Sequence, residues 1–241
     1  MELAPFLSTK IINNNNPAIK ASFGFGKVLQ TGRIDTPLLI SAYRKHLAST
    51  NNLQKEAFNY NALELHENYF IYQNMQAKHI VFAEGFGLKK NPFFSNLPLN
   101  GTKGELLTIH APNLNIDFIL KSSVFIIPLG QDLYRIGATY EWKDKTNTTT
   151  IKAKEELLQK LKSFLNCDFK VIDQVAGIRP TVKDRRPLVG QHAANKNMYV
   201  LNGLGTRGVL IAPYVAKQLF QFIENQIPLE SDINISRFIS S

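Results

Sequence analysis

Three glycines at a fixed spacing, Gly203-Leu-Gly-Thr-Arg-Gly208, carry the clearest chemical signal in the sequence. They stand between a short apolar strand pattern, Met198-Tyr-Val-Leu201, and a long helical pattern from Val209 to Glu224. Strand, G-x-G-x-x-G and helix together bring backbone N–H groups and a positive helix end up to an anion. A dinucleotide fingerprint, however, opens a βαβ unit of about 30 residues, with an acidic residue about 20 positions further on. Glu224 has that spacing, but the tail from Ile227 to Ile235 offers no second parallel strand. The literal motif fails its context, and a free-standing NAD module on residues 203–208 is disfavoured for the same reason. Other chemistries lack their residues. The one cysteine, Cys167, excludes an internal disulfide and a cysteine-based metal site. His46, His66, His79, His110 and His192 lie far apart, without ligand spacing. No Ser/His/Asp set or carboxylate pair emerges, since Asp173 and Asp184 occupy different contexts.

The elements that must hold this turn are read from periodicity. The 241 residues, 44% hydrophobic and 20% charged, suit a folded protein with a sizeable core in one or two domains. Lys and Arg exceed Asp and Glu by 28 to 19, a net +9 that attracts polyanions or an anionic substrate. No apolar run is long enough for a bilayer, and Met1-Glu-Leu-Ala-Pro5 lacks the regions of a signal peptide, so a cytoplasmic protein without a membrane partner is expected. The stretch to Pro17 reads as loop. Phe23–Gln30 reads as a strand. Asp35-Thr-Pro37 starts a helix whose apolar stripe is Leu38, Leu39, Ala42, Tyr43 and Leu47. Alternating segments follow near 54–60, 61–67 and 68–73, then a strand over 77–85. Long strands are expected at 104–110, 118–128 and 133–140, a Thr-capped helix from about 150 to 165, and a strand from Asp168.

Upstream of the glycine turn stands Gly177-Ile-Arg-Pro-Thr-Val-Lys-Asp-Arg-Arg-Pro-Leu-Val-Gly190. This element, followed by a strand, a Gly-rich turn and a helix, resembles the C-terminal segment of the FAD-dependent oxidoreductases of the D-amino-acid oxidase, glycine oxidase and sarcosine oxidase superfamily. Thr102-Lys-Gly-Glu105 resembles that family's turn at the start of its substrate-domain strands, and residues 77–85 its strand closing the FAD sheet. The resemblance runs from about residue 20 to 228 and implies a mixed α+β fold of the α/β type. An incomplete FAD-binding, Rossmann-like lobe is joined to a substrate lobe with a mainly antiparallel sheet. The lobes would alternate along the chain: 1–32 substrate-lobe segment and loop, 33–98 FAD lobe, 99–176 substrate lobe, 177–241 FAD lobe. The family's N-terminal ADP-binding βαβ has no counterpart. Gly24-Phe-Gly26 and Gly85-Phe-Gly87 lack the third glycine and a following helix, and truncation of the reading frame is the explanation this implies.

The resemblance implies FAD as cofactor and oxidation of a primary or secondary amine of an amino-acid-like substrate by hydride transfer to flavin, whose chemistry belongs to the cofactor. The protein would anchor an anionic group with arginine, a planar and permanently charged fork. Arg179 matches the carboxylate arginine of glycine-oxidase-like enzymes, an inter-lobe salt bridge being its alternative role. Arg207 matches the Gly-[SAT]-Arg-Gly-[LV] turn in the oxidase domain of the bifunctional tRNA wobble-uridine modification enzyme, so contact and turn decoration both stay open. Tyr140 is a substrate-side aromatic or a core tyrosine. Gly203, Gly205, Thr206, Gly208, Val209 and Leu210 would meet the flavin ring, with Gly85, Lys103 and Gly104 beside it. Close approach to a planar ring leaves no room for Cβ and can require φ > 0. Asp184 and Arg186 fix the loop around Pro187. Partners are then a small amine or amino acid, with tRNA as a second class. A non-catalytic remnant, or one half of a split enzyme unable to hold FAD alone, is the competing reading.

Overall fold

A computed structural model describes residues 5–238. The chain divides into two compact units, Met1–Asn59 with Lys162–Cys167, and Tyr60–Leu161 with Asp168–Ser241.

In the first unit, β1 (Leu7–Ile12) pairs antiparallel with β2 (Phe25–Val28). The stretch expected to be loop is therefore a strand up to Ile12. Its partner is supplied from beyond the Asn run, so no local pattern announces it. Gly24 closes the connection at φ +73°, where a Cβ would stand 2.4 Å from the Ile12 carbonyl oxygen. Helix α1 (Thr36–Ser49) begins as expected: the Asp35 carboxylate accepts the Leu38 amide at 3.0 Å, and Pro37 occupies the first turn. Its expected inward stripe is not covered among the described residues, since Leu38, Leu39 and Tyr43 are all exposed.

The second unit holds the core. A meander of β3 (Leu63–Leu65), β4 (Phe70–Tyr72) and β5 (Met75–Ala77) is followed by β6 (Ile80–Phe82). The expected strand over 77–85 is thus broken at Lys78. Residues 54–60 form no strand. Gly85–Lys90, expected to be non-helical, makes a 3₁₀ helix. Strand β7 (Thr102–His110) is followed by β8 (Leu120–Lys121), β9 (Phe125–Gly130) and β10 (Leu133–Gly137). The run 118–128 is consequently a hairpin and not one strand, turning at Ser122-Ser123. Thr150 caps α2 (Ile151–Lys162), accepting the Ala153 amide at 3.2 Å, and the helix buries Ala153, Leu157 and Leu161. Strand β11 (Lys170–Arg179) completes a five-stranded, fully antiparallel sheet of order β11-β7-β10-β9-β8. It passes without a break across residue 176, where a lobe boundary was expected. Leu107, Ile109, Ile126 and Ile136 from this sheet are fully buried.

A second sheet positions the glycine turn. Strand β12 (Leu188–Gln191) pairs antiparallel with β13 (Met198–Asn202), which pairs parallel with β6. Its residues alternate between two cores. Leu188, Met198 and Val200 pack with Phe82, Leu88 and Phe94, while Val189 and Tyr199 pack with Val215 and Leu219 of α3 (Gly208–Asn225). Among the described residues, no helix is long and apolar enough to cross a membrane.

Candidate functional site

Strands β6 and β13 run parallel and end side by side, and open α/β sheets place ligands beyond such carboxyl ends. Buried Asn202 ties the two ends together. Its side-chain amide donates to the Gly85 carbonyl at 2.9 Å, and its Oδ1 accepts the Gly203 amide at 2.8 Å. Glu84, just before Gly85, accepts from the Tyr60 hydroxyl and from Asn91 Nδ2 at 2.8 Å. Burial and the neighbouring Glu84 carboxylate push the Tyr60 phenol up to about 12, so it remains a proton donor across ordinary pH.

The three glycines of the turn are required for different reasons. Gly203 has φ +72°, and a Cβ there would lie 2.7 Å from Val182 Cγ2. Gly205 has φ +58° with space around it; its amide donates to the Pro180 carbonyl at 3.0 Å. At Gly208 neither reason applies, because an added Cβ would meet nothing nearer than Leu204 Cβ at 3.5 Å. Nothing in the described chain demands a glycine there. A flat group lying against the helix start would. Helix α3 offers such a group an open end: it has no side-chain cap and no acid in its first turn. The Leu210 and Ile211 amides bond back to Arg207, whereas those of Gly208 and Val209 have no acceptor among the described residues. Val209 is 57% and Leu210 78% exposed. Donor amides beside an exposed apolar surface fit a planar heterocycle that carries carbonyl oxygens and gathers negative charge.

The bond from Gly205 to Pro180 joins this turn to the end of β11, where Arg179 stands. Arg179 pairs with Thr102 in the ladder, and its side chain folds across Gly104. A Cβ on Gly104 would sit 2.0–2.2 Å from the guanidinium atoms, so only glycine lets the arginine lie flat there. The guanidinium carbon is 4.7 Å from the centre of the Tyr140 ring, and Nη1 donates to the Thr139 carbonyl at 3.3 Å. Burial lowers the Arg179 pKa from its ordinary value, but a guanidinium keeps its charge in any protein. Among the described residues no carboxylate pairs with it.

Arg179, Tyr140, Gly104 and Gly205 are therefore brought together, with Gly203, Thr206, Gly208, Val209 and Leu210 along the turn and Gly85 at the adjoining strand end. Lys103 is placed differently. It lies within β7 and not in a turn, on the face opposite Gly104. Only 1% exposed, it bonds Asp144 at 2.5 Å and the Thr148 carbonyl. Glu105, beside it on that face, accepts the Thr150 amide and hydroxyl at 2.9 Å each and Gln174 at 2.7 Å. The bond from Lys103 holds the Asp144 carboxyl down at about 2. Arg207 is exposed at the start of α3 and pairs with no acid among the described residues. Asp184 and Arg186 fix their loop as expected, through Arg237 at 2.9 Å and Asp232 at 3.1 Å. Sequence reasoning missed Asn202, Asn91 and Tyr60. Glu84 lies in the 77–85 segment covered by the resemblance, but nothing local announces its partners.

Comparison with known proteins agrees with this geometry. Residues 15–221 match the family model described as DAO, FAD dependent oxidoreductase, and the chain belongs to that family. Glycine oxidase of Bacillus subtilis is 28% identical over 157 residues, covering 62% of this chain and 42% of that protein. A tRNA 5-methylaminomethyl-2-thiouridine biosynthesis bifunctional protein of Nitrosospira multiformis is 27% identical over 154 residues, covering 58% of this chain and 25% of that protein. The crystal structure of a glycine oxidase from Bacillus cereus superposes with a TM-score of 0.72 at 20% identity, over 90% of this chain and 64% of the other. The iminodiacetate oxidase of Chelativorans sp. BNC1 gives 0.67 at 19% identity, over 88% and 60%. The chain thus spans a quarter to two-fifths of the curated relatives' length.

Proposed function

We propose that this chain provides the ring-facing turn and the substrate anchor of an FAD-dependent oxidase of amines that carry a carboxylate. The observation that supports the reading most strongly is Arg179: a half-buried, permanently charged fork, laid flat by Gly104 and Tyr140, with no carboxylate paired to it among the described residues. A charge taken partly out of water without a counter-ion is costly, and an anionic ligand is what relieves that cost. The flavin would be held by the free amides of Gly208 and Val209 and by the glycine backbone at 203, 205 and 85. When bound, FAD supplies the hydride acceptor. Arg179 would bind and orient the substrate by two parallel N–H···O bonds, while Tyr140 limits where the guanidinium can swing. The relatives' names, glycine oxidase and iminodiacetate oxidase, describe small amino-carboxylates acted on by those proteins.

A second, finer reading assigns the amine to a modified tRNA base. It is favoured by the net charge of +9 and by the similarity to the tRNA-modifying bifunctional protein. The deciding experiment is reconstitution of the purified chain with FAD, followed by titration with glycine and with N-carboxymethylated amines in wild type and Arg179→Leu. Bound yellow flavin and a ligand affinity that depends on Arg179 are the expected results. A chain that retains no FAD supports the non-catalytic reading instead.

A further inference from the structure

The sheet face that carries Arg179 holds three glycines, and the chain fills the space above two of them. Gly104 pairs with Gly177, while Leu106 pairs with Val175 on one flank and Gly137 on the other. Paired residues share a face, and so do alternate residues of one strand, so all five face the same way as Arg179. Over Gly137 a Cβ would lie 2.2 Å from Leu106 Cδ2 and 2.6 Å from Phe125 Cζ. Over Gly104 it would lie 2.0–2.2 Å from the Arg179 guanidinium. Over Gly177 it would meet nothing within 4 Å among the described residues, and this glycine is exposed. Neither the backbone nor the packing asks for glycine there: its φ is not positive, and it pairs regularly inside β11. Glycine within a strand weakens it, and one that the fold does not need marks a surface that another group approaches closely.

What borders this floor decides what can lie on it. The guanidinium, spread over Gly104, is its immediate neighbour across the ladder. In the other direction stand Val175, 37% exposed, and half-buried Leu106 beside it, which meets Phe125 over Gly137. Among the described residues of this face, charge returns one step further, where Asp173 and Arg135 flank Thr108. A carboxylate held by Arg179 therefore has an aliphatic wall about 7 Å along the strand, one residue pair away. Neither an ammonium nor a second carboxylate finds a partner on that stretch, and losing water without one is unfavourable. A hydrocarbon group gains there, by about fourfold in affinity for each methylene covered.

We propose that Gly177 is a specificity-determining residue of this site. Its open floor, walled by Val175 and Leu106, receives an aliphatic substituent on the carbon that bears the carboxylate anchored by Arg179. The substrate class is an amino acid with a short aliphatic side chain, preferred over glycine itself and over acidic amino acids. This rests on the reading of Arg179 given above and narrows the substrate within it.

The test titrates the full chain, with FAD present, with glycine and with both enantiomers of norvaline and of glutamate. The tighter enantiomer of norvaline is expected to bind at least about tenfold more strongly than glycine, and glutamate more weakly than norvaline. Gly177→Val fills the floor with a residue that strands favour, and should lower the norvaline-to-glycine affinity ratio at least about tenfold. Gly177→Ala should lower that ratio less, and Val175→Ser by about fourfold through loss of the apolar wall. Circular dichroism shows which variants are folded, and Gly177→Ala and Val175→Ser decide the matter if Gly177→Val is not. Norvaline no tighter than glycine, glutamate as tight as norvaline, or a ratio unmoved in the folded variants would each overturn the proposal. Arg179→Leu separates the two readings. If glycine binding depends on Arg179 while the ratio ignores Gly177, the floor alone is wrong. If glycine ignores Arg179, the anchor is wrong and the role of the floor falls with it.

Discussion

Lys103 and Arg179 lie on opposite faces of the same end of one sheet, and the contrast between them separates architecture from recognition. On one face Lys103 and Glu105 are almost wholly buried, and their charged atoms are met by Asp144, Thr148, Thr150 and Gln174. These bonds draw the loop 141–150 and the start of α2 onto the sheet. On the other face, one residue along, Gly104 and Gly177 carry no side chains and Arg179 lies over the gap with no counter-charge among the described residues. A saturated network contributes to holding the fold. A charge that the protein leaves unpaired, at the edge of a bare surface, is suited to a ligand. Both residues are basic and adjoin a glycine-containing motif, so residue type alone does not distinguish them. Their partners do.

The contrast can be broken most forcefully on the buried face. Lys103→Met leaves Glu105 and Asp144 without their cation, and removing one member of a buried ionic set costs about 3–5 kcal/mol. Chemical denaturation should show a loss of that order. A change under about 1 kcal/mol would mean the network contributes little. On the open face the prediction is reversed. Arg179→Leu should lower affinity for an amino-carboxylate by about ten- to a hundredfold, the value of a charge-assisted bond, while stability moves by less than about 1 kcal/mol. Gly104→Ala sharpens the same point. Its methyl group displaces the guanidinium without touching the charge, and ligand affinity should fall about tenfold in titration while the denaturation midpoint changes little.

Much of this arrangement was legible in the sequence, for reasons that can be named. Asp35 and Thr150 announced their helices because caps act within three residues, and the element 177–190 with the 203–208 turn gave the family through ordered residue types. What failed depended on pairing at a distance. Strand β1 is made by a partner beyond the Asn run. The 118–128 segment reads as one alternating strand because Ser122-Ser123 does not interrupt the apolar period, though it turns the chain. Lys103 sat in a motif that implied a place beside the cofactor; its burial depends on Asp144 and Thr148, some 40 residues away. Arg179 itself was readable, but that no carboxylate among the described residues pairs with it was not, since alternation gives a face and never an inventory of what stands on it.

The two faces should also part in their response to pH, the smallest of these effects. The Asp144 carboxyl is held at about 2 by the bond from Lys103, below its ordinary 3.8. A depressed folded-state pKa contributes stability that is full above the unfolded value and is lost as pH falls toward the folded one. The buried-face contribution should therefore be constant above about pH 4 and decline between about pH 4 and 2, as followed by thermal unfolding. No such decline is expected of the Arg179 guanidinium, which does not titrate in this range. Affinity for a ligand whose carboxylate stays ionised should be level from pH 6 to 8 in titration.

Most direct of all is a calorimetric titration of glycine, or another small amino-carboxylate, into the FAD-reconstituted chain and its Arg179→Leu variant, with circular dichroism showing both folded. The account predicts saturable binding to the wild-type chain and at least about tenfold weaker binding to the variant. Equal affinity in the two proteins would contradict it, for then the unpaired guanidinium on the bare sheet face holds nothing.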